Sequence, residues 1–143
     1  MATVYRATDP ALKRDVAVKV MHGHLAADPA FVLRFRHEAQ AVAALRHPNI
    51  VKVHDFGNEG DSYFMVMEFV GGPTLASLLG AAPGAGGASL AQAARGVRLS
   101  TGETLRIFLP LCSAVDYAAS RGMVHRDIKP ANVLVTSDGE PLL

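Results

Sequence analysis

The chain has 143 residues, 50% of them apolar and 19% charged, which suits about one folded domain and excludes a disordered tail. Its formal net charge is +1 with the basic residues scattered, so it carries no electrostatic footprint for nucleic acid or a membrane surface. A lone Cys112, no basic-then-apolar leader in MATVYRATDP and no apolar run near the ~18 residues of a membrane span predict a soluble, cytoplasmic chain without an intrachain disulfide.

From the N-terminus, TVYRAT and DVAVKVM are β-branched and alternating, and DPALKR between them carries an Asp-Pro turn signal, so the pair reads as a hairpin. Alternation puts Asp15, Ala17, Lys19 and Met21 on one face of the second strand and Val16, Val18 and Val20 on the other. Lys19 therefore has apolar neighbours. Either it snorkels from a sheet edge or it has a partner.

Asp28-Pro29 is a helix start and HPN after Leu45 a stop, which predicts a helix over about 29–45. Phe31, Phe35, Val42 and Leu45 form its apolar stripe, and Glu38 fills the i+7 position of that stripe. Glu38 either lies at the border and points to water or meets Lys19. At contact distance and an effective dielectric near 20, that attraction is about 4 kcal/mol.

IVKVHDF and SYFMVMEFV read as two more strands around the turn-rich GNEGD. GGPTLASLL is a short helix, and the Ala/Gly-rich stretch over 80–99 reads as a flexible surface loop. Ser100 and Glu103 form a capping box for a helix over about 101–120, ended by Gly122. That helix is apolar almost all round and needs cover on several sides, and Pro110 inside it predicts a kink or looser turn. His22-Gly23-His24 has no third ligand nearby and reads as loop; Cys112 reads as core. Last comes MVHRDIKPANVLV, a dense polar knot between apolar runs. Charged groups in a buried setting cost several kcal/mol unless paired, so the knot needs a chemical reason.

AVKV with Lys19, the helix bearing Glu38, HPNIV at 47–51, VMEFV at 66–70 and HRDIKPAN at 125–132 occur in the order and spacing of a protein kinase catalytic domain. Essentially the whole chain resembles that family, and MATVYRATD with VHRDIKPANVLV looks most like the bacterial serine/threonine kinases of the Hanks type. The resemblance implies an α+β protein-kinase-like fold. Residues 1–70 would be a small antiparallel-sheet lobe with one helix, and 71–143 the first part of the helical lobe with its catalytic loop.

It also implies roles. Lys19 would hold the α- and β-phosphates of ATP and be oriented by Glu38, Asp127 would accept or orient the substrate hydroxyl's proton, and Lys129 would steady the γ-phosphate. Asn132 would hold Mg2+ through its amide oxygen. Val4, Ala17 and Leu134 would wall the adenine, with Met67 as gatekeeper and the backbone of Glu68 and Val70 on the ring edge. His125 would pack under the site, and Arg126 would meet a phosphorylated loop. The expected partner is a protein carrying Ser or Thr.

Met1 and Ala2 stand where the glycine-rich loop should end, and the sequence stops where a metal-binding Asp-Phe-Gly should follow. The resemblance thus implies a catalytic domain truncated at both ends. Two alternatives remain beside an active kinase. One is an inactive remnant serving as a nucleotide-binding or interaction module; the other, a small-molecule phosphotransferase, is opposed by Arg126, Lys129 and Asn132 together.

Overall fold

The computed structural model describes residues 2–21, 29–60, 62–80 and 99–143, apart from the side chains of residues 29–32, 34, 35 and 38. The chain divides into two units, Met1–Arg46 with Val51–Phe69 and His47–Ile50 with Val70–Leu143.

The first unit is an antiparallel sheet of β1 (Ala2–Asp9), β2 (Arg14–Met21), β3 (Val53–Glu59) and β4 (Ser62–Glu68), in the order β1-β2-β4-β3. The β1–β2 hairpin is closed by Asp9, whose Oδ1 accepts the N–H groups of Ala11 and Leu12, each at 3.1 Å. These bonds, that from Leu12 foremost, hold the Asp9 carboxyl below its usual range. The register pairs Val4 with Lys19, Ala17 with Met67 and Lys19 with Met65. Opposed residues share a face. Val4, Ala17, Lys19, Met65 and Met67 therefore line one side of the sheet, as alternation along β2 predicts.

β3 departs from expectation. It begins at Val53 rather than Ile50 and runs through Glu59, into what reads as turn. The reason is pairing: Glu59 opposes Ser62, so the connection shrinks to residues 60–61, while Ile50 is buried in the other unit's turn. Helix α1 (Pro29–Ala43) packs on β3 and buries Ala39. The Asp28 cap, the Phe31 and Phe35 contacts, the Lys19–Glu38 pair, the His22-His24 loop and nearly all of the 80–99 stretch lie outside the described residues.

The second unit is built around Leu75, Ile107, Leu111, Val133 and Val135, with Leu79, Leu99 and Leu143 against them. Leu75 belongs to α2 (Leu75–Leu78), capped by Thr74; Ile107 and Leu111 belong to α3 (Thr101–Ala119). The predicted capping box is present. Ser100 Oγ accepts the Glu103 N–H at 3.2 Å and Glu103 Oε2 accepts the Ser100 N–H at 2.8 Å. At the far end Gly122, at φ 75°, donates to Ala119 O while Met123 donates to Ala118 O, a Schellman closure that a side chain would strain. The helix runs through Pro110 as one element.

Ile107, Leu111 and Ala114 fall at i, i+4 and i+7 and form the buried face. Leu105, Phe108 and Leu109 are at least half exposed, as an all-round apolar helix with one covered side requires. Cys112 is exposed and not in the core. At 3.6 residues per turn it lies about 140° from Ile107, within the uncovered stripe.

The remaining elements are a 3-10 turn (Pro130–Asn132), β5 (Leu134–Val135) and β6 (Pro141–Leu142), the last two paired antiparallel. Val135 N–H bonds to Pro73 O at 2.9 Å, and Leu75 N–H to Val133 O at 2.8 Å. This close approach leaves no room at Gly72: a Cβ there would overlap the Val135 carbonyl. Gly72→Ala is expected to cost about 1–3 kcal/mol and to lower the melting temperature; an unchanged melt would show that Val135 moves freely. The uncovered stripe on α3 predicts that the protein binds a hydrophobic dye, and that a Phe108→Lys, Leu109→Lys double variant binds less. An absence of dye binding in the wild type would show that this face is covered in solution.

Candidate catalytic loop

The polar knot is not buried. His125 through Asn132 are all exposed, and only with Val133, 2% exposed, does the chain enter the core. The charges therefore keep their hydration, and the desolvation cost expected from the flanking apolar residues does not arise. Val124, one of those flanks, is itself 69% exposed.

Three side chains converge. Asp127 Oδ2 accepts from Lys129 Nζ at 2.8 Å and from Asn132 Nδ2 at 2.9 Å, and Asn132 Nδ2 also donates to Asp127 O at 2.8 Å. One carboxylate oxygen is held by two donors. The other, Oδ1, has no partner among the described residues. The Asn132 amide nitrogen is similarly engaged while its oxygen is left open. The 3-10 turn sets this spacing: Asn132 N–H bonds to Lys129 O at 2.9 Å, folding residue 132 back over residue 127. Arg126, at φ 64°, adopts the left-handed conformation that turns the chain between His125 and Asp127.

His125 is a correction: it is exposed rather than packed beneath the site, and its Nδ1 accepts the Asp127 N–H at 3.3 Å. It shapes the loop locally.

The Lys129 ammonium, then the Asn132 amide, hold the Asp127 carboxyl below its usual range. Asp127 is thus ionised at neutral pH, an oxygen acceptor rather than a stored acid.

On the first unit's sheet, Lys19 is half-buried and has no ion-pair partner among the described residues. Val4, Ala17 and Met67 share its face. Glu68 lies on the opposite face; its Oε1 accepts the Lys52 N–H and its own N–H donates to Lys52 O, each at 2.9 Å. Val70 and Leu134 are half-buried in the second unit. Asn49, which reads in the sequence as part of a helix stop and of the HPNIV stretch, proves to be a buried polar group at 8% exposure. The HPN triplet was the available signal.

The low Asp127 pKa gives a pH prediction. Because the folded value is depressed, the contact stabilises above the unfolded pKa near 4 and is lost as pH falls through the folded value. Lys129→Met should raise the Asp127 midpoint towards the ordinary one in a carboxyl NMR titration. An unmoved midpoint would show that Lys129 does not hold Asp127 in solution.

Comparison with known proteins bears on all of this. The protein kinase domain family matches residues 1–143. A probable serine/threonine-protein kinase of Streptomyces coelicolor is 42% identical over 98% of this chain and 19% of its own length. The serine/threonine-protein kinase PrkC of Bacillus subtilis is 41% identical over 97% of this chain and 19% of its own. Among solved structures, the PknI kinase domain of Mycobacterium tuberculosis aligns with a TM-score of 0.79 at 35% identity, covering 100% of this chain and 52% of that one. The chain thus spans about a fifth of these curated relatives and about half of the solved kinase domain. With a family match along its whole length and a fold shared at one-third identity, the chain belongs to the protein kinase family.

Proposed function

We propose that the chain contributes to ATP-dependent transfer of the γ-phosphate to serine and threonine hydroxyls of a protein. The observation that carries this reading is the divided carboxylate of Asp127, one oxygen held by Lys129 and Asn132 and the other open. An acceptor for a hydroxyl proton has to be fixed in position and free at one lone pair.

In the proposed reaction the substrate hydroxyl donates its hydrogen bond to Asp127 Oδ1. Its oxygen bonds to the γ-phosphorus as the bond to the β–γ bridging oxygen breaks, ADP leaves with that electron pair, and the hydroxyl proton passes to Asp127. Lys129 exchanges part of its contact with Asp127 for the γ-phosphate, neutralising charge that spreads onto its oxygens. Lys19 takes the α- and β-phosphates, with Glu38 as its orienting partner. Val4, Ala17 and Met67, which share one face of the first unit's sheet, supply apolar contact to the adenine. The Glu68 N–H is committed to Lys52, so a bond from Glu68 to the ring edge comes from its carbonyl, while Val70 offers its backbone.

The donor set suits Mg2+: the open Asn132 amide oxygen is a hard ligand, and this ion commonly completes its shell with phosphate oxygens and water. Among the described residues no group of three or more His, Cys, Asp or Glu could hold a metal without such help. When bound, the ion would supply charge neutralisation to the phosphates. No helix among the described residues is long and apolar enough to cross a membrane, and we place the reaction in the cytoplasm, where ATP is available.

The test is phosphotransfer from labelled ATP to a generic protein substrate, alongside nucleotide binding. Asp127→Asn should lower kcat on the order of 10²–10⁴-fold with ATP binding retained, and Lys19→Met should abolish ATP binding. Binding without transfer by the wild type would identify an inactive nucleotide-binding module instead. Retained ATP affinity in Lys19→Met would remove Lys19 from the phosphate site.

A further inference from the structure

We infer that Asn49 is a positioning residue for the catalytic loop, acting through the β5–β6 hairpin; the catalytic part of this inference rests on the function proposed above.

Asn49 lies 78 residues before Asp127 in the sequence yet in the same folded unit. Three of its polar groups are engaged. Its N–H donates to His47 Nδ1 at 3.1 Å, its side-chain Nδ2 donates to Pro141 O at 2.8 Å, and its carbonyl accepts the Leu143 N–H at 2.9 Å. The last two bonds grip β6 at both ends. A buried amide that makes directed bonds to a distant backbone specifies one placement of that backbone, which an apolar side chain of the same size would not.

The placement passes on to the loop by short steps. β6 pairs with β5 through Leu142 to Leu134 and Pro141 to Val135. Val133, just before β5, is buried and tied to Leu75 N–H. The residue before Val133 is Asn132, which holds Asp127 by two bonds. Because Asp127, Lys129 and Asn132 are exposed, no packing of their own fixes them. Their register comes from where β5 starts, and β5 is set by β6 on one side and by the Pro73 and Leu75 backbone on the other. His47 anchors the other end of the same turn: its Nε2 bonds to Ser113 Oγ at 3.1 Å, and its ring lies 5.3 Å from that of Tyr117, both on α3. The 47–50 turn thus locks α3 and β6 together from a segment remote in sequence.

Two readouts on the 143-residue protein test this, in Asn49→Ala and Asn49→Gln. Hydrogen exchange is followed well below each melting temperature. Asn49→Ala should speed exchange of the Leu143, Val135 and Asn132 amides at least about tenfold while amides of β2 and β4 keep wild-type rates; Asn49→Gln, retaining a donor, should do less. In phosphotransfer, kcat per folded molecule should fall about ten- to a hundredfold, since small misplacements of catalytic groups cost that much, with KM for ATP within about twofold. Faster exchange spread evenly over both units, or an unchanged kcat per folded molecule, would reduce Asn49 to a stability role and overturn the inference. If Asn49→Ala does not fold, Asn49→Gln decides by the same two readouts. If the wild type transfers no phosphate, the proposed function fails, and the exchange at Asn132 alone decides the role of Asn49.

Discussion

Asn132 and Val133 are neighbours with opposite requirements, and the second unit is arranged around that junction. Val133 is 2% exposed within the core cluster, while Asn132 is exposed and holds Asp127. Burying Val133 is worth about 1.5–3 kcal/mol, and the Leu75 N–H bond to its carbonyl fixes its backbone as well. The chemistry is therefore hung on a packed residue one step away. Exposed polar groups gain definition from the core without the cost of entering it.

The same economy governs the electrostatics. A Lys–Asp contact at the surface contributes little to stability, since solvent screens it and ordering two side chains costs entropy. Its effect here is on the state of Asp127: two donors on one oxygen lower its pKa and leave the second oxygen directed outward. A weakly basic carboxylate is poorly suited to removing a proton early in a reaction. It is well suited to orienting a hydroxyl and collecting the proton late, as bond formation to phosphorus makes the hydroxyl acidic. That timing fits the proposed phosphoryl transfer if it runs through a loose transition state, which asks more of positioning than of base strength.

Local rules read much of the fold correctly. Alternation placed Ala17 and Lys19 on one face, and the sheet register adds Val4 and Met67 to it. The capping box at Ser100 and Glu103 and the Gly122 stop are short-range chemistry, visible in a few residues. What failed depends on distant partners. The strand start at Ile50 was wrong because the 47–50 turn belongs to the second unit, and Cys112 was wrong because an apolar helix does not announce which of its faces is covered. The Asp127, Lys129 and Asn132 triplet was singled out through family resemblance alone. Its exposure was not, because apolar flanks look the same whether they bury their neighbours or only anchor them.

Asn49 is the clearest case of what pattern reading misses. A proline before it explains the end of a helix, so the triplet appears accounted for. Its amide finds Pro141 O across 92 residues, and no periodicity links positions that far apart. Yet the physical demand was present from the start. An exposed loop that leads from α3 into a two-residue strand cannot hold ångström-scale geometry by itself, and a strand pair such as β5–β6 is too short to be stable alone. Some group outside the loop and hairpin had to fix β6, and a buried amide with a donor for one end and a backbone carbonyl for the other meets that demand with a single residue.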